Sequence, residues 1–187
     1  LAKGRDLLIV TQVETVNAFL PLHDDLEKTG YAAYVIELLL RFSYEAEGGN
    51  PTLFKLVVET LGRIEKETDS WLAVRYYEMR LLDAVGFRPQ LFECANCRRE
   101  ILPEDQLFSF SAGGVICPRC GQGLPNLTKI SVETLKYLRH FQRSSYRDAS
   151  RAHPSLAAKQ EAETLMQGYF IYQLERGLNT PGFIKRV

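Results

Sequence analysis

The 187-residue sequence predicts a mainly α fold: a helical domain carrying an inserted four-cysteine module and a residual N-terminal β-strand. Three observations predict it. Apolar residues recur at helical spacing through most of the chain. That period stops between Phe87 and Pro125, where glycine, proline and all four cysteines gather. Ahead of the first helix, DLLIVTQVETV (residues 6–16) has the β-branched texture of a strand.

The strand comes first and has no obvious partner nearby. A lone strand is not stable, so the expectation is an upstream sheet in a longer protein. A processed N-terminus with the strand laid on helices is the alternative. The chain opens at Leu1, and Lys3–Arg5 lead into an apolar run that Thr11 and Gln12 interrupt, which does not read as a signal peptide.

The first helix is expected over His23–Glu47, with Asp24 and Asp25 at its N-terminus, where caps and the helix dipole favour acids. Leu26, Tyr34, Leu38, Leu39 and Phe42 fall on one face, and Gly48–Gly49 end it. Asn50 caps the second helix and Pro51 suits its first position. Leu53, Leu56, Val57, Leu61 and Ile64 form its apolar stripe. Ser70 begins a third helix with Trp71, Val74, Leu81, Leu82 and Val85 inward, and Gly86 stops it.

After the cysteine-rich insert, helical periodicity returns. One helix runs from Ser131 to about Arg147 and buries Val132, Leu135, Leu138 and Phe141. Another runs from Ser155 to Arg176, carries Leu156, Leu165, Tyr169 and Tyr172, and ends at Gly177. The expected result is a five-helix body. Within the insert, Leu107–Phe110 and Val115–Cys117 read as a hairpin turned by Gly113 and Gly114.

The cysteines carry the strongest chemical signal. Cys94 and Cys97 form one Cys-x-x-Cys pair and Cys117 and Cys120 another, with nineteen residues (98 to 116) between the pairs. This matches a zinc-site spacing. Two cysteines three apart on a tight knuckle aim both sulfurs at one point, and two knuckles complete a tetrahedron of thiolates. Gly121 and Gly123 allow the second knuckle its turn. Disulfides suit an exported protein better, and a redox pair would stand near a βαβ unit. Four thiolates leave no open position for water, so Zn²⁺ here is structural.

No phosphate loop, nucleotide fingerprint, nucleophile elbow or His-Glu-x-x-His occurs. His23, His140 and His153 lack ligand spacing and read as surface or cap residues, and Glu65, Glu67 and Asp69 as a solvated face. The sequence points away from an enzyme. Lys+Arg and Asp+Glu both number 23, so the net charge is zero and any nucleic-acid affinity needs uneven placement of charge. No apolar run approaches the ~20 residues of a membrane span.

Charge is uneven in one place. Between Lys129 and Arg151, Lys129, Lys136, Arg139, Arg143, Arg147 and Arg151 face only Glu133 and Asp148 as anions. Lys136, Arg139, Arg143 and Arg147 step by three, four and four, one stripe of a helix. Such a stripe suits phosphates, or the carboxylates of an acidic peptide; an ordinary wet basic face is the bland alternative. Arg98, Arg99 and Arg119 decorate the cysteine module.

Three stretches resemble the RecO family of bacterial recombination mediators: GRDLLIVTQVETVNAF followed by LEKTGYAAYVIELLLRF, then RYYEMRLLDAVGFRPQLFECANC, and finally YFIYQLERGLNTPGFI. In this order, with the cysteine insert between them, they cover nearly the whole chain. The resemblance implies a domain plan: residues 1–20 a remnant of an upstream OB-type domain, 21–90 and 126–187 the helical domain, 91–125 the zinc module. It implies a role in DNA repair and recombination in the bacterial cytoplasm, at the nucleoid during repair. Family members bind single- and double-stranded DNA and anneal complementary strands. They work with RecR, and they engage the acidic C-terminal tail of single-stranded-DNA-binding protein so that the recombinase can load. The sequence departs from the family in lacking most of the OB domain, with which much DNA affinity would reside. A helical scaffold with a zinc ribbon, acting only between proteins, is the alternative reading.

Overall fold

The computed structural model describes residues 2–3, 8–43 and 50–184. Five helices longer than one turn are present among them: α1 (Leu26–Phe42), α2 (Pro51–Lys66), α3 (Ser70–Ala84), α5 (Val132–Arg143) and α7 (Leu156–Leu174). Between α3 and α5 lies a small sheet of β3 (Gln106–Ser109), β4 (Gly114–Ile116) and β5 (Leu127–Ile130), with the single turn α4 (Pro118–Gly121) after β4. The sheet is antiparallel in the order β4-β3-β5. Short turns α6 (Tyr146–Ala149) and α8 (Pro181–Ile184) complete the body.

Helix α3 is the axis of the fold. Twelve of its fifteen residues are buried, because it is covered by α1, α2, α5 and α6. Its apolar positions pack with Tyr34, Val35 and Leu38 of α1, Leu53, Val57 and Ile64 of α2, and Leu138 and Phe141 of α5. Side-chain caps begin each of these helices: Asp25 for α1, Asn50 for α2, Asp69 for α3, Ser131 for α5 and Ser155 for α7. Each supplies an oxygen to a backbone N–H that the helix leaves unpaired.

The structure corrects several sequence expectations. The strand expected over residues 6–16 is reduced to β2 (Leu8–Ile9), paired antiparallel with β1 (Ala2–Lys3). Residues 10–16 belong to no strand and are exposed, with Val16 98% exposed. Nothing among the described residues covers them, and a strand needs a partner on its ladder. Residues 4–7 lie outside the described residues, as do 44–49 and with them the expected end of the first helix. That helix starts at Leu26, and Leu26 is exposed because it occupies the first turn, ahead of the packed face.

The helix expected over Ser131–Arg147 breaks at Arg143. Arg80 explains the break: its guanidinium donates to the carbonyls of Phe141, Gln142 and Ser144, so the helix end is held from outside. Ser145 then accepts from the Asp148 backbone N–H and starts α6. Val132, expected inward, is exposed in the first turn of α5, where its N–H donates to Asp105. Helix α7 ends at Leu174, with Glu175 rather than a glycine in the left-handed region (φ 51°). Leu156 and Tyr172 lie on its outer face, Leu156 71% exposed. The acidic cluster is also not simply solvated. Glu67 accepts from the Tyr146 hydroxyl, and Asp69 caps α3 and pairs with Lys159.

Candidate metal centre and basic groove

The expected hairpin forms one residue off its predicted frame, with Phe108 opposite Val115, and it gains a third strand, β5. This sheet supports two knuckles. In the first, the Cys94 N–H donates to the Arg99 carbonyl (2.8 Å) and the Arg98 N–H to the Cys94 carbonyl (2.9 Å). Arg98 takes a left-handed conformation (φ 61°) to make the turn. In the second, Cys117 caps α4 and accepts from the Gly121 N–H at 3.0 Å. Gly121 lets the Leu107 side chain lie close: a Cβ there would stand 2.1 Å from a Leu107 methyl, which would have to move. Gly123 is the residue that uses positive φ (80°). Gly114 lets the stem strand close, since a Cβ would lie 2.5 Å from the Gln90 carbonyl oxygen.

The knuckles bring together Cys94, Cys97, Cys117 and Cys120, their four sulfurs all within 4.8 Å of one another. All four are free thiols, and Cys97 and Cys117 approach to 3.9 Å. Four sulfurs ~2.3 Å from a central Zn²⁺ stand ~3.8 Å apart in a tetrahedron, so the cluster has the dimensions to hold such an ion. Burial alone would raise the Cys94 thiol, but backbone N–H groups of Cys97, Cys117 and Asn96 lower it to about 6. The Cys117 N–H lies 3.4 Å from the Cys94 sulfur. The four sulfurs are not alike: Cys94 is held toward the thiolate that a metal requires, whereas side-chain hydrogen bonds with Cys117 and Cys97 push Cys120 up to about 11. Arg98, Arg99 and Arg119 are exposed around this centre.

The module is not a detached bead. Leu91, Cys94, Ile101, Phe108, Val115 and Ile116 belong to the same apolar cluster as the helices. Tyr169 of α7 meets Phe108 edge-on at 5.5 Å. From α5, the Gln142 amide donates to the Pro89 carbonyl (2.8 Å), and Arg139 Nε donates to the Leu91 carbonyl (2.8 Å). Arg139 Nη2 reaches the Ile101 carbonyl at 3.5 Å, and its guanidinium stands over the Phe92 ring at 5.3 Å.

The predicted basic stripe is therefore divided. Arg139 is turned inward as a latch, its pKa lowered by burial and by neighbouring Arg143. Arg147 sits on α6, off the stripe, because the helix breaks before it. Lys136 and Arg143 remain on an open groove of about 580 Å³, lined also by Tyr137, His140, Asp148, Arg151 and His153. Among the described residues, Lys136, Arg143 and Arg151 have no ion-pair partner. His140 braces the groove wall, meeting the Ser144 hydroxyl at 2.9 Å and the Asp148 carbonyl at 3.2 Å. Sequence reasoning counted Arg151 in the basic stretch but did not place it beside Lys136 and Arg143, and it missed His153 there. The signal was Ser145 followed by Asp148, the pattern of a capping box that starts a new helix and folds the chain back.

A helical domain with a Cys₄ module set between its third and fourth long helices defines a class of helical protein with a four-cysteine cluster that could hold a metal. Comparison with known proteins makes the class specific. The family model "Recombination protein O C terminal" matches residues 23–181. The DNA repair protein RecO of Dehalococcoides mccartyi is 34% identical over 179 residues, covering 94% of this chain and 69% of that protein. That of Roseiflexus is 36% identical over 188 residues, covering 100% of this chain and 66% of that protein. That of Desulforamulus reducens is 30% identical over 187 residues, covering 100% and 72%. The chain belongs to the RecO family, and it spans about two thirds of the length of these relatives.

Proposed function

We propose that this chain is part of a non-enzymatic recombination mediator that acts on DNA in the bacterial cytoplasm. In this reading it promotes strand annealing and recombinase loading together with RecR and single-stranded-DNA-binding protein. Membership of the family supports a repair role. The observation that carries DNA contact is the α5 groove, where Lys136, Arg143 and Arg151 converge without carboxylate partners among the described residues. Such cations neutralise backbone phosphates and release counterions, which gives affinity without sequence preference. Tyr137 adds an aromatic wall against which an unpaired base can stack. The same groove suits the carboxylates of an acidic protein tail. Zn²⁺ held by Cys94, Cys97, Cys117 and Cys120 is the structural cofactor in this reading.

Fluorescence anisotropy with a labelled single-stranded oligonucleotide, titrated across salt concentrations, tests the proposal. Lys136→Glu combined with Arg143→Glu should weaken binding and flatten the log–log salt slope by about 1.4, the share of two phosphate contacts on a single strand. An unchanged slope would retire the groove. Binding absent in both proteins at low salt would favour a scaffold that touches only other proteins.

A further inference from the structure

Taking the α5 groove as a phosphate site, we propose that Phe92 is a positioning residue that makes the groove's affinity answer to the four-cysteine centre. Phe92 stands two residues ahead of Cys94, inside the ribbon that shapes the first knuckle. The Ile101 N–H donates to the Phe92 carbonyl at 2.9 Å, and the Cys94 N–H to the Arg99 carbonyl at 2.8 Å. Glu93 and Glu100 face each other between these two bonds. The backbone of Phe92 is thus set by the same short ribbon that presents Cys94 and Cys97 to the other two sulfurs.

The Phe92 ring meets α5. The Arg139 guanidinium lies 5.3 Å from the ring centroid and that of Arg143 5.8 Å. The two arginines are one helical turn apart, where like charges repel, and the negative face of one ring attracts both. Their tasks differ. Arg139 gives its donors to the Leu91 and Ile101 carbonyls. Arg143 is exposed, lines the groove, and makes no side-chain hydrogen bond or ion pair among the described residues. Phe92 supplies its ring contact and leaves its N–H groups for a phosphate. Arg143 is therefore the point where the groove and the cysteine module touch.

Zn²⁺ held by Cys94, Cys97, Cys117 and Cys120 would close both knuckles and fix the ribbon. Arg143 then stands ordered at the groove before a strand arrives, and less side-chain freedom is lost on binding. With the first knuckle open, Phe92 has no fixed place and Arg143 loses that support. Coupling between two binding sites is reciprocal, so a bound strand must in turn tighten the hold on the ion.

The test titrates a fluorescein-labelled single-stranded oligonucleotide with the metal-loaded chain and with the chelated chain. It also follows the Arg143 Nε–H resonance by NMR, assigned through Arg143→Lys. Chelation should weaken oligonucleotide binding about fivefold. Saturating oligonucleotide should raise zinc affinity by the same factor, read by competition with a chromophoric chelator. Phe92→Leu should retain the metal, yet lose most of the difference in affinity between loaded and chelated forms. Phe92→Tyr keeps a ring and should restore that difference. The Arg143 resonance should carry a ring-current shift in the loaded chain and lose it on chelation and in Phe92→Leu. Should Phe92→Leu fail to fold, the loaded and chelated forms of the unaltered chain still decide by affinity and resonance. Equal affinity of those two forms, or an Arg143 resonance indifferent to the metal, would overturn the proposal. If neither form binds the oligonucleotide while the resonance still follows the metal, the groove is retired as a DNA site and Phe92 stands as the residue that places Arg143.

Discussion

The helical body and the cysteine module solve the same problem by different physics. In the body, α3 buries nearly its whole surface, and Tyr34, Leu38, Tyr77, Leu81, Leu82 and Phe170 are almost fully removed from water. Each such side chain contributes about 1.5–3 kcal/mol, with the entropy of ordering set against it. Residues 91–125 bury only a handful of apolar side chains, Leu91, Ile101, Phe108, Val115 and Ile116 among them. A segment that short does not assemble a sufficient core by itself, and its four convergent cysteines could hold a metal that compensates. Apolar burial therefore specifies the body, whereas a few sulfur positions specify the module.

The largest expected effect breaks this comparison at its weaker side. Structural zinc contributes about 10 kcal/mol or more of apparent binding free energy. Chelation, or Cys94→Ser, should abolish amide protection across residues 91–125 while α1, α2 and α3 stay protected. Because Arg139 and Gln142 grip the module's stem, α5 should loosen as well. Native mass spectrometry should find one zinc per chain before chelation. Simultaneous melting of α1 to α3 would show that the body depends on the metal too.

The body holds a polar exception, and it gives the next effect. Arg75 and Glu78 are buried at the centre of α3 and pair at 2.9 Å. The Tyr34 hydroxyl donates to Glu78 at 2.6 Å, and the Arg75 guanidinium faces the Tyr34 and Trp71 rings. Arg75→Ala leaves a buried carboxylate unpaired and should cost about 3–5 kcal/mol in urea unfolding. Burial raises Glu78 to about 7, against the lowering pull of Arg75 and Tyr34, with Glu163 adding to the rise. A raised folded pKa means the native state holds a proton that the unfolded chain releases. This stabilising contribution is full below the ordinary value of 4.5 and is lost as pH rises through about 7. Glu78→Gln should flatten stability across that window. Glu37 works in the opposite sense. Burial would raise it, but bonds from Thr180, Asn179 and Arg41 outweigh that and lower it, so its contribution fades only on acidification.

The same division explains what the sequence revealed. Asn50 and Pro51, most of the helical stripes, and the two cysteine pairs are local signals: Asn50 caps α2, Leu26, Val132, Leu156 and Tyr172 are the stripe residues left exposed, and the four sulfurs converge as their spacing suggests. The failures are long-range. Arg80 ends α5 from a different helix, and Arg139 reaches a carbonyl forty-eight positions away. Neither pairing leaves a periodic trace, so Arg139 read as one cation of the basic stripe and Arg80 carried no signal. Strand β5 was missed because four residues without alternating polarity become a strand only when β3 supplies the ladder. Residues 10–16 failed in reverse: their strand propensity is real, but they have no neighbour among the described residues to express it.

Arg139 gives the smallest effect and the sharpest separation of the two regions' roles. It joins body to module by bonds to the Leu91 and Ile101 carbonyls and by its position over Phe92. Replacing it with alanine leaves the buried Leu91 carbonyl without this donor, a cost of about 1–3 kcal/mol. Thermal unfolding should fall accordingly, and exchange at Leu91 and Ile101 should quicken. Its guanidinium is already occupied, so the salt slope of oligonucleotide binding should hardly move. Lys136→Ala should do the converse, leaving stability within ~0.5 kcal/mol, as surface changes usually do, and lowering the slope by about 0.7. A salt slope that falls with Arg139→Ala while stability stays constant would place Arg139 on the nucleic acid and leave the module without its latch.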